Sequence, residues 1–281
     1  MRPLSESTVL VTGATDGLGK GVATALAAAG ARVLLHGRDD ARGERTLAEI
    51  RAATGSDRLG WYRADFASLA QVRGLAERVR AEQARLDVLV NNAGIGTTLP
   101  GEGRRIESED GHELRFAVNY LAPFLLTRLL EPLLVDSAPA RIVNVSSAGQ
   151  APIDFDDVML EHGYDGVQAY CQSKLALVMF TLDLAEELRD RGVTANCLHP
   201  GTYMPTKMVL AAGVTPRDSL ETGVHATMQL IAAPDVARVS GRYFNRLDEA
   251  RPHAQADDAE ARKRLRDLSE RLVGLAPRVV S

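Results

Sequence analysis

The chain has little cysteine. Only Cys171 and Cys197 occur among 281 residues. Two cysteines cannot form a disulfide framework, and no Cys/His spacing suggests a metal site, so none is expected. A reduced, cytoplasmic setting fits that usage. An excess of one charge is also missing. The 33 basic and 37 acidic side chains leave a net charge of -4. A nucleic-acid binder usually carries a clustered basic face, so no nucleic-acid partner is expected. Long apolar runs are absent too. The most apolar stretch, Phe124 to Val135, is broken by Arg128, Glu131 and Pro132. It reads as too short and too charged for a membrane span. Met1 to Ser7 lacks the apolar core of a signal peptide. No low-complexity linker or fixed-period repeat divides the chain. What is present is an ordinary balance, 45% apolar and 25% charged. The length suits one large domain, residues 1–281, with a substantial core.

The apolar pattern alternates between short β-branched runs and helical stretches. Thr8 to Thr12 reads as a buried strand leading into Gly13-Ala14-Thr15-Asp16-Gly17-Leu18-Gly19. An alanine-rich helix then runs to Gly30, and Arg32 to His36 reads as the second strand. Strand, glycine loop, helix and strand in this order form a mononucleotide-binding unit. The glycines let the backbone approach a pyrophosphate and present amides at a helix N-terminus. The second strand ends in Gly37-Arg38 rather than in an acid. An acid there would accept bonds from a ribose 2′-hydroxyl, whereas Arg38 suits the 2′-phosphate of NADP. Asp16 is the contrary sign, a negative charge near the same phosphate.

Further strands are expected at Leu59–Tyr62, Leu86–Val90, Arg141–Val145, Thr194–Leu198 and around Arg242–Asn245. Asp65, followed by Phe66, is placed to accept from an adenine amino group. Ser68-x-x-Gln71 reads as a capping box. Asn91-Asn92-Ala93-Gly94 follows the fourth strand with small and amide side chains suited to passing close beneath a cofactor. Asp110-x-x-Glu113 predicts a helix to about Leu134, apolar nearly all round. Pro123 within it frees the carbonyl of Asn119 to hold a water. Ser146-Ser147 ends the fifth strand, on the edge where ligands bind in open parallel sheets. Tyr170 and Lys174 lie four apart on a predicted helix and so share one face. An ammonium close to a phenol lowers its pKa and prepares it for proton transfer. Asp257-x-x-Glu260 predicts a C-terminal helix over 257–273.

Thr12-Gly13-x-x-x-Gly17-x-Gly19, Asn91-Asn92-Ala93-Gly94, Asn119, Ser147, Tyr170-x-x-x-Lys174 and Pro200-Gly201-x-x-x-Thr206 occur in one chain, in this order. Together they resemble the short-chain dehydrogenase/reductase family over about Ser7 to Phe244. The long interval between Ser147 and Tyr170, with Tyr-Cys-x-Ser-Lys, is similar to the retinol-dehydrogenase-like branch. The resemblance implies a single Rossmann-like α/β domain, a doubly wound seven-stranded parallel sheet with helices on both faces. It implies hydride transfer between a nicotinamide and a carbonyl or alcohol carbon, with NADP(H) preferred over NAD(H). Tyr170 is then the proton donor, Ser147 polarises the carbonyl, Lys174 bonds the nicotinamide ribose and Asn119 holds a relay water. The cofactor set is Gly13, Thr15, Asp16, Gly17, Leu18, Gly19, Arg38, Asp65, Phe66, Asn92, Ala93, Gly94, Tyr170, Lys174, Pro200, Gly201 and Thr206. A homodimer or homotetramer is implied through the two long helices. The alternatives are a dinucleotide-sensing interaction protein on the same fold and, within enzymes, an extended-branch epimerase or dehydratase.

Two segments are candidates for the substrate wall. Residues 150–167 form an inserted loop carrying Ile153, Phe155, Val158, Met159 and Leu160 among acids. Residues 200–218 form a cover carrying Tyr203, Met204 and Met208. Ser147, Phe155, Tyr203, Met204 and Met208 are therefore expected at a bulky, largely apolar carbonyl or alcohol substrate. Thr206 is placed to hold the cofactor carboxamide when the cover closes.

Overall fold

A computed structural model describes residues 2–97 and 104–277, with the side chains of Met208 and Ala211 outside the description. The β-branched runs form parallel strands β1 (Thr8–Val11), β2 (Arg32–Gly37), β3 (Leu59–Arg63), β4 (Val88–Asn91), β5 (Ala140–Val145), β6 (Val193–His199) and β7 (Arg242–Asn245). Nearly every residue of β1, β2, β4, β5 and β6 is buried. Strands covered on both faces read as continuous apolar runs, as these do. One respect of the expected sheet needs correction. An eighth strand, β8 (Asp248–Ala250), folds back from β7 and pairs antiparallel, Tyr243 opposite Ala250 and Asn245 opposite Asp248. Its three residues include two acids, too short and too polar to show as a strand in sequence. The sheet is thus eight-stranded with a mixed edge, in the order β3-β2-β1-β4-β5-β6-β7-β8.

Helices cover both faces: α1 (Gly17–Ala28), α2 (Asp40–Thr54), α3 (Leu69–Glu82), α4 (Leu114–Phe116), α5 (Ala122–Asp136), α6 (Gly166–Glu187), α7 (Lys207–Ala211), α8 (Leu220–Ala232) and α9 (Ala259–Leu272). One apolar cluster joins α3, α5 and α6 to the sheet, and a second joins α1 and α8 to its other face. Strand order reverses between β1 and β4, and the carboxyl ends there open the crevice in which such sheets bind ligands.

Several caps differ from expectation. Ser68 precedes α3 without a side-chain cap. Asp110 takes that place, accepting from Leu69 N–H at 2.8 Å, while Gln71 accepts from Asp65 N–H at 3.0 Å. With Asp110 so used, the next helix starts later, capped by Glu113, which accepts from Phe116 N–H at 2.7 Å. Between α4 and α5 lies a π-helical turn, Ala117–Leu121, centred on Asn119, and Pro123 stands in the first turn of α5. Leu114–Asp136 is long and apolar enough to cross a bilayer by composition, and 72% of its most apolar stretch is buried in this fold.

The C-terminal helix folds back on its own subunit. Asp183 of α6, buried, receives Arg262 Nε at 2.7 Å and Arg266 Nη1 at 2.6 Å from α9. The Tyr120 hydroxyl meets Ser269 Oγ at 2.7 Å. α6 and the π turn, part of the surface implied for subunit contacts, therefore carry α9.

Candidate active site

The carboxyl ends of β1, β2, β4 and β5 set the site. Gly13 leaves β1 at φ +64, and a Cβ there would lie 2.8 Å from Ala93 Cα. A Cβ on Gly19 would lie 2.3 Å from the Gly13 carbonyl oxygen. Only glycine allows the loop to pass this close to the β4 loop. Thr12 locks the two loops together. Its hydroxyl accepts from Asn92 N–H at 2.9 Å and Ala93 N–H at 3.0 Å. The Asn92 amide returns a bond to the Thr12 carbonyl at 2.8 Å. Asp16 caps α1 through Gly17 N–H at 2.8 Å, and Lys207 pairs with its carboxylate at 2.8 Å. The carboxyl is held below its ordinary pKa by the Lys207 and Gly17 bonds, against the opposing pull of burial. The contrary sign thus has a neutralising partner. Leu18 points into the apolar cluster under α1, and the Thr15 methyl would lie 3.0 Å from a Cβ on Gly37.

Arg38 is exposed at the end of β2, and among the described residues no carboxylate pairs with it. Asp65 caps its own turn, accepting from Ala67 N–H at 2.9 Å. Phe66 is buried, its ring stacked on His36 at 4.4 Å. Thr206 packs its methyl toward Gly17, 2.9 Å from where a Cβ would stand. These features form a cradle with the polarity for a dinucleotide: open glycine backbone, amides at a helix start and an uncommitted guanidinium beyond.

The four residues expected to do chemistry come together. Asn119 is fully buried; its Oδ1 accepts from Ile95 N–H at 2.8 Å and its Nδ2 donates to Ser173 Oγ at 3.0 Å. A Cβ on Gly94 would lie 3.1 Å from Asn119 Oδ1 and 3.5 Å from Lys174 Nζ. Lys174 donates to the Val145 carbonyl at 3.0 Å, and its Nζ is 5.8 Å from the Tyr170 ring centroid. A Cβ on Gly149 would meet Ser147 Oγ at 3.5 Å and Tyr170 Cε1 at 3.9 Å, so the two side chains face one another there. Ser146 is turned away, donating to the Lys174 carbonyl at 2.9 Å.

The electrostatics depart from the simple expectation. Tyr170 is half-buried as a residue but its hydroxyl lies deep, and that burial raises the pKa although Ser147 lowers it. Lys174 is itself stripped of water and pushed down to about 8. Its ammonium donates to the Val145 carbonyl, and at the phenol desolvation outweighs the Ser147 hydrogen bond.

The candidate substrate residues divide. Tyr203 is 46% exposed and lies close enough to Tyr170 to influence its titration. Met204 is buried against Gly223 and Leu18, packing that holds the cover to α8 and α1. Phe155 lies under the Arg264 guanidinium of α9 at 4.6 Å. Its neighbours Ile153 and Val158 are buried in the main core, and Leu160 is buried beside them in the chain. Gln255 grips both polar groups of Ile153, and Gln172 donates to the Val158 carbonyl at 2.8 Å. This strap is pinned rather than loose. The Met208 side chain lies outside the described residues. Sequence reading missed Ser173, which joins Asn119 to α6, and Tyr243, whose hydroxyl donates to the Ser147 carbonyl at 3.1 Å. Ser173 had a signal in its place beside Lys174; Tyr243 comes from a distant strand and had none.

The family described as short chain dehydrogenase matches residues 7–214. The chain belongs to that family. Among short-chain dehydrogenases it is 41% identical to retinol dehydrogenase 13 of Mus musculus, over 96% of this chain and 84% of that protein. It is 39% identical to the polyprenol dehydrogenase of Mus musculus, over 94% of this chain and 83% of that one. Among solved structures it is similar to the NADP active-site complex of Pseudomonas aeruginosa RhlG, with TM-score 0.68 and 30% identity, covering 87% of this chain and 97% of that one. It is also similar to 3-ketoacyl-(acyl-carrier-protein) reductase of Brucella melitensis complexed with NADH, with TM-score 0.69 and 25% identity, covering 86% and 97%. As a member of the family, the chain is an NAD(P)-dependent oxidoreductase.

Proposed function

We propose that the chain is an NADP(H)-dependent oxidoreductase acting on a bulky, largely apolar alcohol or carbonyl compound, with Tyr170 as general acid and base. The observation that carries this is the convergence of Tyr170, Ser147 and Lys174 at the end of β5, beside the glycine cradle. The nicotinamide, when bound, supplies or accepts the hydride. In the reducing direction Tyr170 gives its proton to the carbonyl oxygen. Its raised pKa keeps it protonated for that task. Ser147 holds and polarises the same oxygen. Lys174 keeps three donors on a buried ammonium, one committed to Val145 and the others available to ribose hydroxyls. Asn119, held by Ile95 and Ser173, presents the π turn whose carbonyl holds the relay water.

NADP(H) is favoured over NAD(H) because Arg38 is uncommitted and Asp16 is neutralised by Lys207. A guanidinium matches a phosphate with charge-assisted, paired bonds. The apolar substrate class rests on Tyr203, Leu210 and Val167, which are among the few large apolar side chains left exposed. Two of the relatives carry the names of apolar alcohols, retinol and polyprenol. The test is NADPH oxidation against ketones and aldehydes of graded size. Turnover rising with apolar bulk supports the reading. A preference for small polar carbonyls, or turnover with NADH alone, defeats it.

A further inference from the structure

His36 is a buried ionisable side chain of the cradle without a role in the reading above. It stands near the end of β2 and is 3% exposed. Its Nδ1 accepts from Gly13 N–H at 3.2 Å. Its Nε2 lies 3.0 Å from the Ala64 carbonyl oxygen at the end of β3. A carbonyl only accepts, so Nε2 carries the proton and Nδ1 the free lone pair. The Gly13 bond requires the neutral ring, and burial holds its pKa down to about 4 although the Ala64 carbonyl pulls it up. The ring face stacks on Phe66 at 4.4 Å and 25°. Backbone bonds run alongside, Ala14 N–H to the His36 carbonyl at 2.9 Å and Ala64 N–H to the Gly37 carbonyl at 3.0 Å.

One imidazole thus joins the carboxyl ends of three adjacent strands. Its bond to Gly13 matters most. Gly13 is the residue at φ +64 where the loop turns against Ala93. Among the described residues the imidazole nitrogen is the acceptor for that N–H. A buried unpaired donor is costly, and the loop would rotate to find another partner. That rotation would move the amides that the dinucleotide must meet.

We infer that His36 is a positioning residue for the dinucleotide, holding the Gly13 amide so that the glycine loop is preformed for the pyrophosphate. The inference rests on the reading of the glycine loop as the cofactor cradle. The pyrophosphate is common to both nicotinamide dinucleotides, so His36 governs affinity for NADPH and NADH alike. Arg38 acts differently, on the 2′-phosphate alone.

The experiment titrates NADPH and NADH into the purified protein and follows nicotinamide fluorescence, with no turnover involved. Three variants separate the two ring nitrogens. His36→Asn places an acceptor near Nδ1, His36→Gln places a donor near Nε2, and His36→Ala removes both. His36→Ala should weaken both nucleotides by about tenfold, the equivalent of one buried hydrogen bond. His36→Asn should recover most of that loss and His36→Gln little of it. Equal affinity in His36→Asn and His36→Gln would overturn the role of Nδ1, even if His36→Ala does not fold. A loss confined to NADPH would overturn it as well. Failure of the wild type to bind either nucleotide would instead remove the cradle reading itself.

Discussion

Asn119 Nδ2 donates to Ser173 Oγ at 3.0 Å, and Ser173 in turn donates to the Tyr170 carbonyl at 2.7 Å. The π turn and the helix carrying Tyr170 are therefore fastened at one point. Ser173→Ala should lower kcat by about tenfold, because one buried bond that aligns the two elements is lost. Cofactor affinity should change little. Steady-state kinetics with a saturating NADPH concentration would reveal the split, and an unchanged kcat would show that the fastening is dispensable.

Tyr170→Phe keeps the ring and removes only the hydroxyl. Turnover should fall by about 10²–10⁴-fold, the usual loss for a general acid, while NADPH titration stays near wild type. Near-normal turnover would take Tyr170 out of the proton-transfer step.

Lys174 is the clearest case of function set against stability. Its pKa falls from 10.5 to about 8 through burial. Below that value the folded and unfolded chains both carry the charge, and the fold bears the full desolvation cost. Between about pH 8 and 10.5 the unfolded chain holds more protons, so stability contributed by this group rises with pH. The cost near neutral pH is on the order of 3 kcal/mol, less about 1 for the bond to Val145 that a replacement forfeits. Lys174→Met should therefore raise cofactor-free stability at pH 7 by roughly 2 kcal/mol while abolishing activity. Denaturant melts at pH 7 and pH 10 should show this gain shrinking at the higher pH. A destabilised variant at both values would contradict the sign.

Arg38→Ala should weaken NADPH by about tenfold or more, as expected for a lost charge-assisted contact, and leave NADH almost untouched. Parallel binding titrations decide it. Equal loss for both would mean that Arg38 never meets the 2′-phosphate.

Asp183 receives two arginines of α9 while buried in α6. Burial raises its pKa and the arginines pull it back. Removing the carboxylate takes from both guanidiniums the buried counter-charge they share and leaves Arg262 only the exposed Glu186 at 3.2 Å. Asp183→Ala should cost about 3 kcal/mol in denaturant unfolding, in the range for breaking a buried pair. A loss below about 1 kcal/mol would place this clamp with ordinary surface pairs.

By itself the amino-acid order determined the strand and helix alternation, the glycine loop after β1 and the shared face of Tyr170 and Lys174. These are short-range facts. Burial on both faces demands continuous apolar strands, and a helix repeats its face every four residues. It also made Arg38 conspicuous through the absence of an acid beside it. Only the tertiary structure decided what depends on distant partners. The acidic turn Asp248–Ala250 became a strand because β7 offered it an open edge. Asp110 capped α3 from across the chain instead of starting its own helix. Met204, expected at a substrate wall, packs beside Leu18 in the room that Gly223 leaves it. The Tyr170 phenol moved up rather than down because desolvation, a property of the whole surrounding volume, outweighed the hydrogen bond from Ser147. His36 read as an ordinary strand residue until β1 and β3 placed a donor and an acceptor on either side of its ring.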